Sequence, residues 1–96
     1  MNKKIYLDSA NLKEIEELGE TGLIQGVTTN PSLIAKEPKD DFNKLINKIA
    51  LYCNSNDLSL SVEVFTNEPS EIITQASELW NNLIEIIDKK NLAIKV

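Results

Sequence analysis

The amino-acid sequence predicts an α/β fold built on a parallel sheet. Segments rich in β-forming residues alternate with segments whose apolar residues recur at helical spacing, in the order β-α-β-α-β-α-β. Strands that follow one another through helices favour parallel pairing with right-handed crossovers. The predicted strand ends near Asp8, Asn30, Glu63 and Lys95 are 22, 33 and 32 residues apart.

That spacing favours one parallel architecture. An eight-stranded (β/α)8 barrel, or TIM barrel, takes roughly 250 residues, which is about 30 residues for each strand-helix unit. The chain of 96 residues therefore predicts the first three to four units of such a barrel, an incomplete barrel. No linker or internal repeat divides the chain, so we expect residues 1–96 to form a single domain.

The first strand and helix are predicted between residues 4 and 22. Residues Lys4 to Leu7 are rich in β-formers and are followed by residues that favour a turn. Asn11 stands three residues before Glu14, which is the spacing of a capping box at a helix start. The apolar residues of this helix are Leu12, Ile15 and Leu18. We expect the helix to end between Gly19 and Gly22.

The second unit is predicted from a short strand and two helical segments. Gly26 to Thr29 form the strand, and Asn30-Pro31 end it. Proline also disfavours helix in the residue before it, so we expect no helix at Asn30. A helix can begin at Pro31 and is interrupted near Pro38. A longer helix is predicted from Asp40, and Asn54 and Asn56 close it.

The third and fourth strands enclose the last helix. Leu58 to Phe65 alternate between polar and aliphatic residues, as a half-buried strand does. Pro69 begins a helix with one apolar stripe. The members of the stripe are Ile72, Ala76, Leu79, Leu83 and Ile87. Leu92 to Val96 form the fourth strand.

The composition excludes several classes of function. The net charge is −5, and all 10 basic residues are lysines. The chain therefore contains no arginine, which makes the best bidentate contacts with phosphate groups, and we expect no nucleic-acid partner. Histidine is absent and Cys53 is the single cysteine, which predicts neither a disulfide framework nor a metal site. We expect Cys53 to be a packed side chain. Without a signal peptide or a long apolar run, we expect no membrane partner and a cytoplasmic location.

Four polar residues fall near the C-terminal ends of the predicted strands, where active sites of parallel α/β folds form. They are Asp8, Asn30, Glu63 and Lys95. Because side chains alternate between the faces of a strand, Ser59, Ser61 and Glu63 share one face of the third strand, and Ala93 and Lys95 share one face of the fourth. The aliphatic residues between them are expected to pack on helices.

Each of these residues has a structural alternative. Lys95 would attack a carbonyl and form a Schiff base if the barrel removed it from water, but it could also be a strand lysine in solvent. Glu63 could transfer protons during imine formation or lie on a solvated face. Asp8 could be a base in carbon-carbon bond cleavage or cap the first helix. Thr28 and Asn30 could be ordinary turn residues.

The segments that contain these residues resemble the opening part of a transaldolase. They are Tyr6 to Asn11 (YLDSAN), Gly26 to Leu33 (GVTTNPSL), Val62 to Val64 (VEV) and Ile94 to Val96 (IKV). The resemblance covers nearly the whole chain in register and is closest to the small transaldolase and fructose-6-phosphate-aldolase-like group. It is a resemblance to the N-terminal part of that barrel only.

The resemblance implies a barrel that transfers a dihydroxyacetone unit between sugar phosphates, without cofactor or metal, in the pentose phosphate pathway of carbohydrate metabolism. It implies that Lys95 forms the Schiff base and that Asp8 is the acid and base of the cleavage step. Glu63 would act through a water molecule on the imine steps, and Asn30 and Thr28 would hold hydroxyl groups or that water. Family members with aldolase activity tend to carry glutamine in place of Glu63, so glutamate favours transaldolase.

The family pattern also includes four more strands and a phosphate-binding arginine that these residues do not supply. One interpretation is therefore the N-terminal part of a transaldolase, inactive in isolation, that needs a complementing C-terminal half and takes sugar phosphates as substrates. Another is a non-catalytic barrel remnant that forms homo-oligomers through its open strand edges. A third is a fructose-6-phosphate-type aldolase.

Overall fold

A fully parallel sheet of four strands organises the protein, as the sequence predicts. A computed structural model describes residues 5–34, 42–64, 66 and 68–96. The strands are β1 (Tyr6–Asp8), β2 (Gly26–Thr29), β3 (Ser59–Glu63) and β4 (Leu92–Lys95). They pair in the order β1-β2-β3-β4, which is the order of strands in the first half of a (β/α)8 barrel.

Helices connect the strands and cover one side of the sheet. They are α1 (Leu12–Gly19), α2 (Pro31–Ile34), α3 (Phe42–Ser55), α4 (Pro69–Leu83) and a 3₁₀ helix (Lys89–Asn91). Helix α1 begins as predicted: the Asn11 side chain accepts a hydrogen bond of 2.9 Å from the backbone N–H of Glu14. This bond satisfies one of the N–H groups that a helix start leaves without an intrahelical partner.

Several boundaries differ from the sequence-based prediction. Strand β3 does not include Leu58, because the backbone N–H of Leu58 donates to the Cys53 carbonyl at 2.8 Å and so closes the end of α3. Helix α4 ends at Leu83, yet Ile87 is buried as the stripe predicted, because its N–H donates to the Leu83 carbonyl at 2.8 Å and turns the chain back onto the core. Strand β1 extends to Asp8.

The 3₁₀ helix was not predicted, although its capping residue is visible in the sequence. The Asp88 carboxylate accepts a hydrogen bond of 3.0 Å from the backbone N–H of Lys90. Such local side-chain bonds are typical of aspartate in turns. The predictions at Lys4, Pro38, Asp40 and Phe65 concern residues that lie outside the described part of the chain.

The sheet has one apolar face and one polar face. Buried or half-buried side chains of the apolar face are Leu7, Val27, Leu60, Val62, Leu92 and Ile94. They belong to the same core cluster as the buried side chains of the helices, among them Ile15, Ile46, Ile49 and Leu83. The apolar area removed from water on this face, at roughly 25 cal/mol per Å², is the main stabilising contribution to the sheet. The described helices therefore leave the opposite face open.

Candidate active site

The open face carries the candidate residues in register across neighbouring strands. Asp8 is the register partner of Thr28, and Thr28 is the partner of Ser61, which in turn pairs with Ala93. One row of side chains, the middle row of the open face, therefore crosses all four strands. Parallel strands lie about 4.8 Å apart. A small ligand could therefore contact two neighbouring side chains of this row at the same time.

The next row toward the C-terminal edge contains the predicted nucleophile. Glu63 and Lys95 are register partners on β3 and β4, and the backbone N–H of Val64 donates to the Lys95 carbonyl at 3.0 Å. This hydrogen bond fixes the backbone of Lys95 at the edge of the sheet. The pairing brings a carboxylate and an amine onto neighbouring strands, which is the pair that carbinolamine chemistry requires.

Lys95 is exposed and Glu63 is half-buried. The sequence predicted removal of Lys95 from water on the condition that the inner face of the sheet is covered. Within the described residues nothing covers that face, so the condition is not met there. The amine of Lys95 is therefore exposed to water in this part of the fold.

Asp8 is not the cap of the first helix. That role belongs to Asn11, whose own backbone N–H donates to the Ser9 hydroxyl at 3.0 Å. The side chain of Asp8 is exposed at the end of β1. The structure therefore removes the structural alternative that the sequence left open for this residue, and a carboxylate remains on the open face.

Asn30 follows β2 directly and is half-buried. Its side-chain carbonyl accepts a hydrogen bond of 3.0 Å from the backbone N–H of Leu33, so Asn30 caps the short helix α2. The cap uses only the oxygen of the amide, and the Nδ2 group has two donors of its own. Asn30 therefore combines a structural role with donors that could meet a substrate hydroxyl.

Thr28 contains a buried hydroxyl oxygen that has no hydrogen-bond partner among the residues described. Leaving a buried hydroxyl unpaired costs about 1–3 kcal/mol. The free energy of the protein falls when a ligand, a water molecule or a rotation of the side chain supplies a partner for this hydroxyl. Thr28 is therefore the residue of the middle row that has the strongest reason to bind a polar group.

A cavity of about 340 Å³ lies on the open face beside this row, and its lining includes Tyr6, Thr28, Ser61 and Ala93. The sequence predicted the face of the sheet on which Ser61 and Ala93 lie. It did not predict that they lie in the same row as Thr28, because the residue pattern within one strand does not determine the register between strands. A larger cavity of about 600 Å³ includes Asn56 and Asp57 and none of the candidate residues. It lies at the N-terminal edge of the sheet, away from the candidate chemistry.

The described residues contain no group of three or more His, Cys, Asp or Glu side chains that could hold a metal ion. In the same part of the chain, every helix is too short or too polar to cross a membrane.

Comparison with known proteins relates the chain to one family. The family model described as Transaldolase/Fructose-6-phosphate aldolase matches residues 5–96. A protein named "Probable transaldolase" from Clostridium botulinum is 41% identical over 93 residues, which are 97% of this chain and 38% of the relative. Proteins of the same name from Clostridium perfringens (40% identical, 97% and 39% covered) and Caldicellulosiruptor saccharolyticus (43% identical, 97% and 38% covered) give the same alignment length.

The coverage of these relatives is as informative as their identity. The chain spans about 38% of the length of the curated relatives that it matches. The matched part contains all four candidate strand ends. The remaining length of the relatives has no counterpart in these 96 residues.

Proposed function

The chain belongs to the transaldolase/fructose-6-phosphate aldolase family, and from that membership we propose that it carries the Schiff-base residues of a transaldolase. The reaction would move a dihydroxyacetone unit from a ketose phosphate to an aldose phosphate, as part of carbohydrate metabolism through the pentose phosphate pathway in the cytoplasm. The observation that carries the proposal is the pairing of Glu63 with Lys95 on the open face of a parallel sheet.

Imine formation would begin with attack of the Lys95 amine on the ketone carbon of the sugar. The amine loses a proton and the ketone oxygen gains one, which produces a carbinolamine. Glu63 would then deliver a proton through a water molecule, so that the carbinolamine hydroxyl leaves as water and the Schiff base forms. The register of β3 and β4 supports this assignment, because it brings the carboxylate onto the strand next to the amine.

Bond cleavage would use the carboxylate of Asp8. It removes the proton of the hydroxyl next to the scissile bond; the carbon-carbon bond then breaks, and its electron pair enters the iminium to form an enamine on Lys95. The aldose phosphate leaves, and the reverse steps transfer the three-carbon unit to another aldose phosphate. Thr28, the register partner of Asp8, and Asn30 would hold the sugar hydroxyls.

Glutamate at position 63 supports transfer over simple aldol cleavage, by resemblance to family members in which aldolases tend to carry glutamine. A carboxylic acid can give and take the proton of the imine steps, whereas an amide can only hold the water. The competing interpretation, a fructose-6-phosphate-type aldolase, predicts that free dihydroxyacetone is released without an acceptor. Product analysis with and without an aldose phosphate separates the two.

We further propose that the strands missing from this match cover the open face. The amine must lose water to be an effective nucleophile, and Lys95 is exposed in the part of the fold described. The uncovered length of the relatives would supply the other strands, and with them the phosphate contacts. The 96 residues alone would therefore turn over little or no substrate, because positioning and electrostatic stabilisation both need the closed site.

The same open face favours a second candidate function. The outer edges of β1 and β4 have no neighbouring strand among the described elements, and such edges pair readily with other chains. A non-catalytic module that forms homo-oligomers would use these edges. It predicts association of the chain without any reaction at Lys95.

Borohydride trapping tests the proposal directly. The chain is incubated with fructose 6-phosphate, alone and with the remaining part of the Clostridium botulinum relative added as a second polypeptide. Borohydride converts a Schiff base to a stable amine, and mass spectrometry after proteolysis identifies the modified lysine. We expect a three-carbon adduct on Lys95 that increases when the second polypeptide is present.

Lys89 provides the matched control, because it is also an exposed lysine and does not line the cavity on the open face. The adduct should persist in Lys89→Met and disappear in Lys95→Met. Modification spread evenly over the lysines, or no adduct in either mixture, would contradict the proposed function and leave the non-catalytic alternative.

A further inference from the structure

The middle row of the open face contains a hydroxyl that the mechanism above does not use. Ser61 lies between its register partners Thr28 and Ala93. It is half-buried, and in the described part of the chain its side chain makes no hydrogen bond. Ser59, which shares the same face of β3, differs in this respect: its hydroxyl donates to the Gln25 carbonyl at 3.4 Å. Of these two hydroxyl groups, that of Ser61 is therefore the one able to bind a ligand or a water molecule without breaking a hydrogen bond among the described residues.

Ala93 leaves space beside this hydroxyl. Its side chain is a single methyl group, and the next residue on the same face of β4 is Lys95, about 7 Å further along the strand. Glu63 occupies the corresponding position on β3, one row above Ser61. A small molecule in contact with the Ala93 methyl group would therefore lie beside Ser61 of the neighbouring strand. Lys95 and Glu63 would lie one row further toward the C-terminal edge, Lys95 on the same strand as Ala93 and Glu63 on the neighbouring strand.

The space beside Ser61 and Ala93 is large enough for water. The cavity of about 340 Å³ is lined by both Ser61 and Ala93, whereas one water molecule occupies about 30 Å³ and needs two to four polar partners. Ser61 lines this cavity and supplies one partner. Glu63 and the reacting group on Lys95 do not line it, but they lie one row nearer the C-terminal edge of the sheet and would supply two more. A serine hydroxyl both donates and accepts, so it can hold water in either orientation.

We propose that Ser61 positions the water molecule through which Glu63 exchanges protons with the intermediates on Lys95. This inference rests on the proposed function. The water accepts a hydrogen bond from Ser61 and lies between the Glu63 carboxyl group and the carbinolamine hydroxyl. In dehydration a proton passes from Glu63 through this water to the departing hydroxyl, and hydrolysis reverses the transfer. Ser61 acts through the water and is a positioning residue.

Two kinds of substitution test the site from different sides. Ser61→Ala removes the hydrogen bond, and Ala93→Val fills the space over the methyl group. With the second polypeptide present, each should lower the maximal rate of adduct formation on Lys95 by about tenfold, the loss expected for one hydrogen bond of about 1.4 kcal/mol. Half-saturation with fructose 6-phosphate should not change, because the water is not a contact of the free sugar. A structural role alone would not separate these two parameters.

Rescue and control variants accompany them. Ser61→Thr retains a hydroxyl on a residue that suits a strand and should keep at least half of the original rate. Ser59→Ala removes a hydroxyl from the same face and strand, one row further from Lys95, and should have no effect. Equal losses in Ser59→Ala and Ser61→Ala, or an unchanged rate in Ser61→Ala, would overturn the proposal.

A crystal structure of the chain provides a readout that does not depend on activity. We expect an ordered water within hydrogen-bond distance of both Ser61 Oγ and a Glu63 carboxylate oxygen, and we expect Ser61→Ala and Ala93→Val to lack it. No such water in the original chain would overturn the water site, even if Lys95 forms its adduct. The water with no adduct on Lys95 would support the binding site and refute the proposed function.

Discussion

Gly26 and Ser59 are register partners on β2 and β3, and the serine hydroxyl occupies the space that a side chain at position 26 would need. A Cβ atom on Gly26 would also lie 2.8 Å from the Ser59 carbonyl oxygen and 2.9 Å from Cδ1 of Tyr6. These three residues form the lowest row of the open face. Glycine is required here by the close approach of its neighbours.

Gly26→Ala should therefore destabilise the protein by about 1–3 kcal/mol, which is the usual range for overpacking a fitted site. Urea denaturation followed by circular dichroism measures the loss. The double variant Gly26→Ala with Ser59→Ala should recover part of it, because the hydroxyl contact is relieved while the contacts with the Ser59 backbone and Tyr6 remain. A Gly26→Ala variant as stable as the original chain would contradict the close approach described.

The Asn11 cap predicts a second stability effect. Asn11→Ala removes the oxygen that accepts the N–H of Glu14 and should cost about 1 kcal/mol. Asn11→Asp keeps an acceptor and adds a negative charge near the helix N-terminus, which is favourable there. It should match or exceed the original stability in the same denaturation experiment. Similar losses in both variants would show that the cap contributes little.

The sequence predicted which face of the sheet carries the candidate residues, but it did not predict how they align in rows across the strands. The alternation of side chains along a strand is a local property, and it placed Glu63 and Lys95 on one face correctly. The alignment of Ser61 with Thr28 and Ala93 depends on how neighbouring strands are staggered, which follows from the packing of the whole sheet. No pattern within one segment contains that information.

The ends of elements show the same division between local and tertiary causes. The start of α1 is fixed by Asn11, three residues before Glu14, and was predicted from that spacing. The start of β3 depends on the hydrogen bond from Leu58 to Cys53 at the end of α3, so the local strand pattern predicted one residue too many. The burial of Ile87 beyond the end of α4 has a similar tertiary cause.

Asp8 provides a prediction about the course of the reaction. If its carboxylate takes the hydroxyl proton during bond cleavage, Asp8→Asn should still form the Schiff base but should not break the sugar. Borohydride trapping with fructose 6-phosphate would then yield an adduct on Lys95 with all six carbons and the phosphate, in place of the three-carbon adduct. Cleavage should slow by about 10²–10⁴-fold, the usual contribution of a positioned base.

Asp57→Asn is the control for this experiment, because Asp57 is an exposed aspartate at the opposite edge of the sheet. It should give the three-carbon adduct at the original rate. A three-carbon adduct from Asp8→Asn at that same rate would refute the role proposed for Asp8, while leaving the role of Lys95 intact.

Cys53 gives a prediction about reactivity and pH. The side chain is fully buried in the core, and burial raises the pKa of its thiol to about 12 from the ordinary value of 9.0. Because the thiolate is the reactive form, iodoacetamide at pH 8 should modify Cys53 only as fast as the protein unfolds. Addition of urea should increase the rate in parallel with the unfolded fraction.

The same shift makes stability depend on pH in one direction. Between about pH 9 and pH 12 the unfolded chain releases the Cys53 proton while the folded chain keeps it, so stability falls as pH rises by up to about 1.4 kcal/mol per pH unit. Below pH 9 both states keep the proton and the contribution is fully present.

Cys53→Ala should be less stable at pH 7, because it leaves a cavity, but should lose less stability between pH 9 and pH 11. Burial and the nearby Glu20 carboxylate also raise the pKa of Tyr52, and comparison of the two chains separates that contribution because both retain Tyr52. Equal slopes in the two chains would show that the thiol ionises in the folded state.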